Sequence, residues 1–303
     1  MPKKIWTPHL IVLMVLLLSG MARMAPAAVA TVDDDSDFPV QETETVRQTY
    51  PLADTGTSLL DIDTVWGSID VVGTSSNQVQ VVITKTIRAE SKETLEKAKT
   101  EVTLAATRDE KGVRLYVDGP FRCRQDCDGC YRCRHHEGYV VQMDFQVQAP
   151  RRMNLSLRTV NEGHIKVEGV SGDFQLRNVN GSIDLLDADG SGKAKTVNGG
   201  VKVTFRGNPK ANSEFSTING PIEIYFAQDL AADFRFKTFN GGVYSDYELG
   251  ALPAKAPEQG QHNGRFVFRA DRFTGGRVGS GGPEIKIENL NGDIRVLQRH
   301  ASL

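Results

Sequence analysis

The chain has 303 residues, with 36 Lys+Arg against 38 Asp+Glu, 39% hydrophobic and 24% charged residues. Its net charge of −2 excludes a generally basic nucleic-acid binder and an acidic disordered chain. The length is enough for one large core or two ordinary ones.

Lys3 and Lys4 precede an uninterrupted apolar run from Leu10 to Leu18, and Ala28-Val29-Ala30 offers small residues for cleavage. This pattern predicts a signal peptide over residues 1–30, hence export. The run is too short to span a bilayer, and no later stretch is long and apolar enough, so no transmembrane segment is expected after signal removal. Residues 31–303 carry 33 basic and 38 acidic side chains, a net −5. Residues 31–56 are polar and lack a sustained apolar period, which predicts a flexible tether. A single domain is expected over 57–300, with an N-terminal cap (57–150) and repeat rungs (151–300).

In the cap, alternation predicts strands over 79–87, 113–117 and 140–147. Ser91 is a good N-cap for one short surface helix ending near Thr100. This βαββ segment is expected to cover one end of the repeat and its exposed strand edge.

All four cysteines, Cys123, Cys127, Cys130 and Cys133, lie in the loop 121–137, directly before His135 and His136. Three readings stand. Disulfides suit an exported chain with an even cysteine count. Asp128-Gly129 as a two-residue hairpin turn would favour nested Cys127–Cys130 and Cys123–Cys133 bridges, although the outer pair falls on opposite faces of an ideal ladder. Zinc is the second reading, with His135 or His136 replacing a thiolate. The third is a redox or cluster site, since Cys123-x3-Cys127-x2-Cys130 has the spacing of radical iron–sulfur enzymes, but without their α/β barrel. Disulfides lead, so no cofactor is expected, with zinc as the alternative. Arg122, Arg124, Arg132 and Arg134 make the loop basic, which suits a solvated loop or an anionic glycan or lipid headgroup.

Beyond residue 150 a repeat dominates. The units centre on Asn161 with Gly163, Asn180-Gly181, Asn198-Gly199, Asn219-Gly220, Asn240-Gly241 and Asn291-Gly292, and Thr64-Val65-Trp66-Gly67 is an early relative. The first five asparagines are 19, 18, 21 and 21 residues apart. A period near twenty with two-residue alternation on both sides predicts short strands in a β-solenoid or β-roll, an all-β class. Asn-Gly is a strong turn signal because both residues tolerate positive φ. Phe174, Leu176 and Asn178 share a parity that Val179 breaks, so the chain should bend there. An inward Thr or Asn would then bond backbone at its own corner or the next. Calcium-binding β-rolls fit less well, because these turns lack a recurring Asp.

These Thr-Val-Asn-Gly-x-Ile-x-Val units, with Gly275-Gly276, Gly281-Gly282-Pro283 and the final Asn-Gly-Asp-Ile-Arg-Val, resemble a bacterial exported adhesin-like family, a domain of unknown function. The resemblance covers roughly residues 57–297. It implies a β-solenoid-like fold on an exported or surface protein, and no catalytic residues.

An enzyme on such a scaffold would need carboxylates and cations converging on neighbouring rungs. Lys166, Asp184, Lys202, Glu223 and Arg295 hold equivalent outward positions, but their mixed signs suit a solvated β face. Serine-hydrolase, zinc-protease and phosphate-loop motifs are absent, and no His has a partner at catalytic spacing in sequence. The leading reading is a non-enzymatic interaction module at the cell surface or in the periplasm, with an envelope protein or glycan as partner and no nucleic acid. A polysaccharide-active enzyme on the same scaffold is the alternative. A metal- or redox-responsive envelope protein using the cysteine loop is the third.

Overall fold

The structure, a computed structural model, describes residues 31–32, 38–52, 58–122, 124–125, 131–132, 138–252, 258–262, 265–269 and 273–299. The expected signal peptide, the four cysteines, His135 and His136 lie outside these residues. The described chain is nearly all β, with two open eleven-stranded sheets, two small hairpins and one helix.

Two-residue alternation makes the strands. In Phe174–Arg177 the burial alternates strictly, with Phe174 and Leu176 inside and Gln175 and Arg177 outside. Successive strands then alternate between sheets. Asn154–Arg158, Phe174–Arg177, Gly192–Lys195 and Ser213–Asn219 lie side by side in the second sheet. Ile165–Glu168, Ile183–Ala188, Val201–Phe205 and Ile222–Phe226 do so in the first. All these neighbours pair in parallel. The inward side chains of both sheets belong to one core. Towards the C-terminal rungs that core contains Phe205 and Phe226, stacked at 5.0 Å, and Phe234 and Phe236, stacked at 5.4 Å.

Each Asn-Gly is a corner between sheets and not a hairpin turn. The reason lies in where the backbone bonds go. At one corner, Asn180 N–H donates to Val160 O and Gly181 N–H to Asn198 O, both on adjacent rungs. With no backbone hydrogen bond closing across this turn, the chain bends without reversing onto itself.

The cap extends both sheets at their early end. Gly112–Asp118 pairs in parallel with Leu59–Asp63, and Tyr139–Pro150 with Ile69–Thr74. The helix spans Lys92–Glu101, with Ser91 Oγ accepting from Thr94 N–H at 3.1 Å and Leu95 and Ala98 buried. The expected tether is different. Val40–Pro51 is a twelve-residue strand, antiparallel to Gln78–Ala89. Its polar residues are half-exposed, and it is held by backbone pairing plus Val40, Val46 and Tyr50 against the core.

At the other end the spatial order departs from chain order. The last strands, Glu284–Asn291 and Ile294–Gln298, are inserted between the Ser213–Phe226 rung and the Ala232–Ser245 rung. Ile285, Ile287, Ile294 and Val296 are fully buried there.

Candidate functional site

The recurring Asn, Gly and Thr residues form two ladders along the corners. The first is buried. Thr159 Oγ1 donates to Gly67 O (2.7 Å), Asn178 Nδ2 to Gly163 O (2.9 Å), Thr196 Oγ1 to Gly181 O (2.8 Å), Thr217 Oγ1 to Gly199 O (2.8 Å) and Asn289 Nδ2 to Gly220 O (2.8 Å). Each bond satisfies a carbonyl on the neighbouring corner, as buried carbonyls require.

The second ladder is exposed. Asn180 Nδ2 donates to Asn161 Oδ1, Asn198 to Asn180 and Asn219 to Asn198, each at 2.8 Å. Asn291 donates to Asn219 and Asn240 to Asn291, both at 2.7 Å. The amides of all six asparagines are therefore engaged with one another. The glycines stack beside them. A Cβ at Gly181 would lie 1.9 Å from Gly163 O, so no side chain fits.

The outward row on the first sheet runs Asp70, Lys166, Asp184, Lys202, Glu223, Arg295 across six strands. The sign alternates at every step, and Arg295 contacts Glu223 at 2.9 Å. Such a row neutralises itself, unlike a cleft of converging carboxylates. A depression of about 390 Å³ at one end holds Asp70 and Glu168, which pair with His164 and Lys166 respectively.

The structure brings together one trio that the sequence hid. Strand register sets Ile165 against Ile69 and so places His164 beside Ser68 and Asp70. His164 Nδ1 lies 3.3 Å from Ser68 Oγ, and Nε2 lies 2.9 Å from Asp70 Oδ1. A nucleophilic serine also needs free N–H donors for the oxyanion. Around Ser68 the neighbouring ones are taken. Gly67 N–H donates to Asn161 O, Ser68 N–H to Asp144 Oδ1 and Ile69 N–H to His164 O. The trio is half-exposed and acts as a cross-strand link.

The second sheet carries a different charge pattern. Arg158, Arg177 and Lys195 are direct register partners on three adjacent strands. One step along the strands, Ser156, Gln175 and Lys193 form the parallel row. Asp63 borders the cations at one end, bonded to Arg122 (2.8 Å) and near Arg158 (3.9 Å). Glu214 accepts from both Lys195 (2.7 Å) and Lys193 (3.1 Å). Among the described residues Arg177 has no carboxylate within ion-pair distance. The signal for this row was present: each cation stands three residues before Asn161, Asn180 or Asn198.

At the late corner Ile218, Leu290 and Phe239 line a depression of about 560 Å³, with Phe239 78% exposed. In the small hairpin of the cysteine loop, Arg124 pairs with Arg132 and Gln125 with Tyr131. A two-residue Asp128-Gly129 turn would instead pair Gln125 with Arg132, so the register is shifted by one. Among the described residues no three His, Cys, Asp or Glu side chains gather as metal ligands. Likewise, no helix there is long and apolar enough to cross a membrane.

No protein-family model and no curated protein matches the chain. Nine solved chains are distantly similar, the following three among them. A proposed cell adhesion protein from Clostridium sporogenes is 10% identical with a TM-score of 0.40, over 85% of this chain and 100% of that one. A proposed adhesin from Bacteroides fragilis is 12% identical with a TM-score of 0.37, over 84% and 97%. A proposed lipid-binding protein from Parabacteroides distasonis is 12% identical with a TM-score of 0.26, over 84% and 96%. Likenesses this weak fix neither the fold nor the function of this chain.

Proposed function

We propose that the chain is an exported, non-enzymatic β-solenoid, adhesin-like, that binds an envelope partner or glycan at the cell surface or in the periplasm. The observation that carries this reading is where the chemistry-bearing residues spend their polar groups. The corner asparagines bond to each other, the first-sheet charges alternate in sign, and the N–H groups around Ser68 are occupied. What remains is outward surface on stacked strands, suited to binding more than to turnover. The alternating two-sheet winding, with corners about twenty residues apart, supports the solenoid description.

The test is a glycan array run in parallel with a polysaccharide-cleavage screen and labelling by a fluorophosphonate serine probe. Binding without product release, and an unlabelled Ser68, are the expected results. Released oligosaccharides or a labelled Ser68 would overturn the non-enzymatic reading.

We further propose that the loop cysteines form disulfides. An even count of four cysteines within eleven residues of an exported chain supports this reading. Alkylation and mass spectrometry without and with reductant, with elemental analysis, test it. Four free thiols with bound zinc would sink it.

A further inference from the structure

We propose that the cationic row Arg158–Arg177–Lys195 on the second sheet binds a linear acidic polysaccharide, a polyuronate with one carboxylate per sugar. The inference rests on the binding-module reading and names its ligand class.

Geometry comes first. The three cations sit on adjacent parallel strands in register, so they recur at about the 4.8 Å interstrand spacing. That spacing is close to the rise of one sugar ring in an extended polysaccharide. A chain laid across the strands would therefore meet one cation per ring. Two of the three are arginines, whose planar forks donate two hydrogen bonds to a carboxylate. Ser156, in the row beside them, offers a hydroxyl for the sugar, while the Gln175 amide oxygen accepts from Arg177 Nε and Nη2 and holds that guanidinium in place.

Charge supports the same partner. Among the described residues, the ion pairs of Arg158, Lys195, Lys193, Arg114 and Arg122 run only to Asp61, Asp63 and Glu214, and Arg177 adds a sixth cation. The patch thus has three surplus positive charges in a chain of net −2. Local excess against the global sign marks a surface for anions.

The shape of the patch favours a chain over a membrane. The row is narrow, and Asp63 and Glu214 border its two ends. A flat anionic bilayer would press against those carboxylates, whereas the three-ring stretch of a single polymer fits between them. None of the outward residues of the row is a large apolar group that could insert into lipid.

The experiment titrates oligogalacturonate into the full chain by calorimetry, with the fully methyl-esterified oligomer as the uncharged counterpart. Binding of the acid form alone, weakening as salt rises, is expected. Arg158→Gln, Arg177→Gln and Lys195→Gln together should weaken it at least tenfold. Lys166→Gln with Lys202→Gln on the first sheet should leave it unchanged. Circular dichroism melts check that the variants fold, and if the triple variant does not, Arg177→Gln alone should weaken binding about threefold. Equal binding by the row variants, or row-dependent binding to phosphatidylserine vesicles without oligogalacturonate binding, would overturn the inference. Binding of neutral glycans only would also overturn it while leaving the binding-module reading intact. Shortened oligomers would overturn the non-enzymatic reading but not the location of the site.

Discussion

Asn178 reaches across one rung to donate to Gly163 O at 2.9 Å, while its own Oδ1 accepts from Val179 N–H at 2.7 Å. Three other rungs place Thr at this buried position, and each Thr makes the same bond to a neighbouring glycine carbonyl. Asn178→Thr should keep that bond and cost less than about 1 kcal/mol. Asn178→Val leaves Gly163 O buried without its donor and should cost about 1–3 kcal/mol. Urea midpoints at constant m-value measure both.

Gly181→Ala drives a methyl group into the Gly163 carbonyl, 1.9 Å from its ideal position. Only a shift of the stacked corners relieves this, so a loss of about 1–3 kcal/mol or more is expected. Gly207 is the control, because a Cβ there meets nothing within 4 Å. Gly207→Ala should leave the thermal midpoint within about 2 °C of the parent, as ordinary surface substitutions do.

Arg206, hydrogen-bonded to Asp187 at 2.6 Å, holds that carboxyl below its ordinary value, and Arg277 at 2.7 Å does the same for Asp233. A carboxyl with a lower pKa in the folded state adds stability that is fully present above its unfolded value. That stability disappears as pH falls through the folded value. Stability should therefore decline below about pH 4, the unfolded Asp range. Asp187→Asn with Asp233→Asn should flatten this acid limb in denaturation curves recorded from pH 6 to pH 2.5. Both pairs are partly exposed, so added salt should shrink the difference.

Hydrogen exchange should not follow sequence position at the C-terminus. Ile285, Ile287 and Ile294 have paired strands on both sides, whereas Val243–Ser245 is the edge of its sheet. Amides of the final strands should exchange as slowly as those of Val201–Phe205, and those of Val243–Ser245 much faster. Fast exchange throughout 284–298 would contradict the inserted order.

Legibility tracked burial. Phe174–Arg177 could be read because one face is fully inside and the other fully outside. Thr103–Asp109 could not, since it is an edge strand with six exposed residues and only Leu104 half-buried. Val40–Pro51 failed for the same reason, as a mostly polar strand held by its backbone partners. The Arg158–Arg177–Lys195 row was implicit in the repeat, but each residue alone looked like any outward charge. The Ser68–His164–Asp70 trio required the register itself, because nothing local links residues 68 and 164. The inserted position of Asn291 had no sequence signal, since a corner motif reads the same wherever it stacks.

That insertion bears on how the protein is made. The rung from Ala232 to Ser245 cannot meet its native neighbour until residues 284–298 have emerged. A chain delivered from its N-terminus can wind the earlier rungs as they arrive, but it must hold the Ala232–Ser245 rung apart until residues 284–298 are free. Closing this end of the fold is then an insertion, and without residues 284–298 the strands on either side would be left unmatched in both sheets, exposed to other molecules.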